Sequence, residues 1–171
     1  MSDIVELLKK NWVLIVIGLG VFLYFSLTES ERDSSGNLTK AGWLDATLIR
    51  VGDCISDDVV VAQEEVEQVY DVWATPCSQE HTMEVFYIHE LQDKYQSYPD
   101  DELIKKEGIN VCYGSFFNDF VGMPYEESIY EVNFLTPTPE SWDLLGDTTI
   151  GCLLYDPSKE VSIGSKRNTK R

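Results

Sequence analysis

Near its N-terminus the chain carries 16 uncharged, largely apolar residues, Trp12 to Leu27 (WVLIVIGLGVFLYFSL), and then becomes polar and acidic. No face of this run is polar, so it does not read as the amphipathic helix of a soluble core. At about 1.5 Å per residue it spans roughly 24 Å, short of a hydrocarbon core of about 30 Å. Burial of Asn11 and Thr28 at the rims and slight bilayer thinning make up the difference. Lys9 and Lys10 precede the run, while Glu29, Glu31 and Asp33 follow it with only Arg32 opposing. Because Lys and Arg collect on the cytoplasmic side, a single-pass anchor over 11–28 is expected, with residues 1–10 inside and the bulk outside. A cleaved signal peptide is the rival reading, but Phe25 to Ser30 lacks the alternating small residues of a cleavage site.

Residues 29–42 (ESERDSSGNLTKAG) are polar and rich in Ser and Gly, which predicts a flexible tether. Strands are then expected at Asp45–Val51, Val59–Ala62 and, ambiguously, Val66–Trp73, which Thr75-Pro76 ends. Glu84–Leu91 is aromatic and β-branched enough for a core strand. Tyr98-Pro99-Asp100 marks a helix start, and the apolar spacing from Leu103 to Phe120 predicts one buried helix face closing at Val121-Gly122. Gly108 weakens that helix, leaving a kink or two shorter helices open. Ser128–Leu135 alternates as a strand. Thr138-Pro139-Glu140 opens a short helix holding Trp142 and stopping at Gly146. Thr148–Tyr155 and Val161–Ile163 read as the last strands. The expected fold is therefore α+β: a small domain over 43–165 of several short strands, one main helix and a short second one.

The net charge of −17 sharpens to −20 within Ala41–Glu160, where 5 basic face 25 acidic residues. Such a surface repels nucleic acid and anionic headgroups. A solvated acidic face is favoured over a salty habitat or a cationic partner. The tail 166–171 has the opposite sign and is expected to be solvated.

All four cysteines, Cys54, Cys77, Cys112 and Cys152, follow the apolar run. An even set beyond an anchor points to an oxidising compartment and structural disulfides. Their gaps of 23, 35 and 40 residues offer no close pair for zinc and no C-x-x-C. Of the three connectivities, Cys54–Cys77 with Cys112–Cys152 is preferred, since it joins chain neighbours and ties the helix to a strand. Cys77 as thiolate with His81 as its base is a nucleophilic reading that fails if Cys77 is bonded; a His81 that packs its ring and donates a hydrogen bond at a turn is favoured. His89 has no evident partner, and Ser115 is not in a nucleophile elbow. The acidic runs Asp57-Asp58 and Asp100-Asp101-Glu102 lack the alternating ligands and central glycine of a calcium loop. No cofactor is expected.

The ordered set Val51-Gly52-Asp53-Cys54, Cys77-x-x-x-His81-x-x-Glu84, Tyr98-Pro99, Cys112-x-x-x-Phe116, Phe120-Val121-Gly122, Pro139-x-x-Trp142, Gly146-Asp147, Gly151-Cys152 and Gly164-Ser165 resembles the septum formation domain family. Those are membrane-linked extracytoplasmic proteins, mainly of actinobacteria. Two departures are Glu80 before His81, where the family commonly has Pro, and Lys166 directly after Gly-Ser. The resemblance implies a role in septum formation or envelope biology. Its matched positions, Gly52, Asp53, His81, Glu84, Pro99, Phe116, Gly122, Trp142 and Gly146 among them, supply no catalytic residue. The sequence therefore points to a non-catalytic anchored module with envelope or division proteins as partners. An envelope enzyme, using Cys77 and His81 or Asp57 and Asp58, and a cation-binding domain are the alternatives.

Overall fold

A computed structural model describes residues 2–56, 69–158 and 161–171; in the first helix, side chains are described from Trp12 to Tyr24 and at Thr28. The expected strand at Val59–Ala62, the first half of Val66–Trp73 and the pair Asp57-Asp58 lie outside the described residues. Helix α1 runs over Ser2–Thr28. Each side chain from Trp12 to Tyr24 is exposed. Among the described residues, no helix is long and apolar enough to cross a membrane. The expected span over 11–28 is thus not supported among the described residues.

The expected tether is instead folded. Strands β1 (Glu31–Arg32) and β2 (Leu38–Lys40) form an antiparallel hairpin. Its turn is built by Asp33, whose carboxylate accepts from the N–H of Ser35 and of Asn37 at 2.8 and 2.9 Å, with Gly36 at φ +89°. Linker-like composition here encodes a turn, because Asp, Ser, Gly and Asn serve both purposes. Arg32 then clamps the hairpin to the domain, donating to both oxygens of buried Asp53 at 2.7 and 2.6 Å. Gly42 lies against the end of α1, where a Cβ would sit 2.4 Å from the carbonyl carbon of Glu29.

Six antiparallel strands follow: β3 (Gly42–Asp45), β4 (Cys54–Ile55), β5 (Asp71–Thr75), β6 (Met83–Glu90), β7 (Glu131–Leu135) and β8 (Thr149–Tyr155), ordered β3-β5-β4-β6-β8-β7. The strand expected at Asp45–Val51 ends where it was to begin. Asp45 accepts from the Thr47 N–H and hydroxyl at 2.8 and 2.7 Å and winds Ala46–Leu48 into a 3-10 turn.

The main helix is two helices, α2 (Asp101–Cys112) and α3 (Ser115–Val121). The break falls at Tyr113-Gly114 rather than at Gly108, which sits in the middle of α2. Helix α4 (Pro139–Leu145) has the expected Thr138 cap, with a reciprocal bond from Ser141, and ends at Gly146 in the left-handed region. One face of the sheet packs Phe86, Ile150, Cys152 and Leu154 against Ile104, Phe117 and Phe120 of the helices. The other face carries a smaller cluster of Ile49, Ile55, Val72, Val85 and Leu153.

Cys54 is bonded to Cys77, and Cys112 to Cys152, the latter joining α2 to β8. The expected strand at Val161–Ile163 reduces to one bridge, Ser162 with His81. The tail does not project. Asn168 and Lys170 donate backbone N–H groups to Phe120 and Val121 carbonyls at 2.8 and 2.9 Å, and the Arg167 guanidinium lies 4.2 Å from the Phe120 ring centre.

Candidate functional site: an acidic groove beside the sheet

Two polar places stand out. The first is a buried latch beneath the C-terminal segment. His81 and Glu84 are fully buried and Lys166 nearly so. The His81 ring meets the Gln79 carbonyl through Nδ1 at 2.9 Å and the Lys166 ammonium through Nε2 at 3.3 Å. Since an ammonium only donates, Nε2 accepts and Nδ1 carries the proton. Glu84 takes the Ser165 hydroxyl at 2.5 Å and the Lys166 backbone N–H at 2.6 Å. Burial pushes the Glu84 carboxyl up and the His81 imidazole down, and in both cases hydrogen bonds partly oppose it.

A Glu84 oxygen and both sulfurs of Cys54 and Cys77 lie within 4.8 Å of one another. Those sulfurs are bonded together, so they offer no thiolate to a metal. The Cys77–His81 nucleophile fails on the same ground.

The remaining sequence-highlighted residues are scattered through the scaffold. Gly52 holds a left-handed turn (φ +94°). Asp53 takes Arg32 and the Arg50 N–H. Pro99 precedes Asp100, which caps α2. Phe116 stacks on Tyr87 with ring centres 3.7 Å apart, and Gly122 and Gly146 end α3 and α4. Trp142 meets Tyr98 edge to face at 5.9 Å. His89 lies 3.6 Å from Glu107, which also takes Lys94. Asp101 and Glu102 occupy the first turn of α2, where the helix dipole favours them.

The second place is a groove of about 830 Å³. Its floor is Ile49, Gly151 on β8 and Phe134-Leu135 at the end of β7, and α2 and α4 form its walls. A Cβ at Gly151 would come 2.8 Å from the Ile49 side chain, so glycine lets the floor close there. Asp45, Asp71, Asp101 and Asp147 line it against a single cation, Lys105. None of the four is in an ion pair among the described residues.

Asp147 accepts from the Ser141 hydroxyl at 3.2 Å and, more weakly, from Thr149. Burial, with a smaller contribution from the nearby charge of Asp45, raises its pKa above the usual carboxylate range. Tyr98 donates to Asp101 at 2.5 Å, and burial together with that bond pushes its hydroxyl's pKa up.

Asp147 appears in the sequence as the residue after a helix-ending glycine and in the Gly146-Asp147 part of the family resemblance. Its nearness to Asp45, 102 residues earlier, has no local signal. A volume of this size with apolar walls and a few polar groups is what a binding site requires. No protein-family model, curated protein or solved structure matches the chain.

Proposed function

We propose that this chain is an extracytoplasmic, non-catalytic binding module held at a membrane by α1, acting in septum formation or envelope biology and receiving its partner in the groove. The observation that carries the reading is the pairing of an uncovered apolar helix with a domain whose four cysteines are all oxidised. Disulfides persist outside the cytosol. The exposed apolar side chains from Trp12 to Leu23 suit lipid. Confinement at the bilayer raises the domain's effective concentration for neighbours. The septal role rests on the sequence resemblance.

Alkaline extraction and externally added protease test the placement in the producing cells. The full chain is expected in the membrane pellet, with its domain digested from outside, and removal of residues 1–28 is expected to free it. A domain inaccessible to protease in intact cells overturns the placement. An N-terminal fluorescent fusion spread evenly around the envelope overturns the septal role.

A further inference from the structure

We infer that the groove selects a cationic, amphipathic peptide segment: Lys or Arg side chains set between apolar ones, supplied by another protein. The inference rests on the reading of the groove as the partner site. The groove carries four carboxylates and one cation, Lys105, over an apolar floor. Four carboxylates face the cavity, and none has a cationic partner among the described residues.

Asp45 and Asp147 both line the cavity, and the Asp45 charge adds slightly to the burial that disfavours an ionised Asp147. A cation in the cavity would relieve this, whereas an anion would add to it. Between the carboxylates the surface is oily: Ile49, Ile104, Phe134 and Leu135 lie within, and Tyr70 and Leu145 stand 60% and 61% exposed at the rim. Leu48 and Leu144, each one residue from the lining, are 60% and 73% exposed and extend the apolar surface outward. A small amine would satisfy the acids and leave this surface wet; a peptide with both kinds of side chain covers both. The net charge of −17 adds long-range attraction for such a segment.

The test uses the full chain in phosphatidylcholine nanodiscs, titrated with peptides of about twelve residues containing Leu alternating with Lys, Glu or Ser; apolar burial and charge pairing together set the expected preference. Spermidine is titrated as the small-cation control. The Lys–Leu peptide is expected to bind, to weaken with salt, and to exceed the Glu–Leu peptide by at least about tenfold. D45N/D147N is expected to weaken it about tenfold or more, while D93N/E126Q, with the same loss of charge on exposed acids elsewhere, weakens it less than about twofold. L145K, a change on an exposed rim that leaves the fold's interior untouched, is expected to weaken it as D45N/D147N does.

Equal losses in D45N/D147N and D93N/E126Q would show attraction to net charge alone and overturn the inference. Spermidine displacing the peptide completely would reduce the groove to a small-cation site, also against it. Equal binding of the Ser–Leu or Glu–Leu peptide, lost in L145K, would overturn the cationic assignment while leaving the groove a partner site. No binding by any peptide overturns the peptide assignment, with the membrane placement judged separately by extraction and protease.

Discussion

His81 couples the fold to pH. Its pKa is held below the imidazole's ordinary 6.5, chiefly by burial and further by the neighbouring Lys166, against the hydrogen bond to Gln79. In the unfolded chain the ring takes up a proton near its ordinary value; in the folded chain it resists. The resulting stability is complete above about pH 6.5 and is lost as the pH falls through the lowered folded value. Glu84 and Asp147 act in the opposite sense: burial raises both, so their ionisation costs stability as the pH rises through their folded values. Melting temperatures taken from about pH 8 to about pH 5 should therefore drop below the imidazole range. H81Q, which keeps a donor and an acceptor, should flatten that drop at a cost of about 1 to 3 kcal/mol for imperfect bonds. An unchanged pH slope in H81Q would assign the acid sensitivity to other groups.

Elements with strong local signals were legible in the sequence. Thr138, Pro139 and Gly146 bracket α4, and the aromatic and β-branched run from Glu84 marks β6. Where a side chain redirects its own backbone, the pattern misled: Asp45 ended a strand early and Asp33 turned an apparent linker into a hairpin. Gly108 is a different case, since its reason lies across the domain. Propensity alone says Gly108→Ala should gain about 1 kcal/mol. A Cβ there, however, would come 2.7 Å from the Phe134 ring. Displacing that ring should cost about 1 to 3 kcal/mol, making the variant less stable in urea unfolding. A stabilised G108A would mean that Phe134 moves aside freely. Because Phe134 also floors the groove, the same variant should alter peptide binding.

For the molecule as a whole, the two disulfides differ in access. Cys54, Cys112 and Cys152 are fully buried, while Cys77 is half-buried at a turn. Graded reduction followed by alkylation and mass mapping should open Cys54–Cys77 first; release of Cys112–Cys152 first would contradict the burial. In the chain-entropy picture, loops of 23 and 40 residues make each bridge worth roughly 3 to 4 kcal/mol. Losing both would remove a large share of a domain's usual stability. At this scale the sequence indicated oxidation, because composition and order carry it. It did not indicate the groove, whose carboxylates come from four separate parts of the chain and meet only after folding.

The contact of Gly42 with the last turn of α1 has a mechanical consequence. With so little slack between rod and globule, and with α1 placed in lipid as proposed, any tilt of the rod to suit a thicker or thinner leaf would swing the groove with it, as a tiller turns a rudder. Under that proposal, where the mouth of the groove points would be set by the bilayer itself.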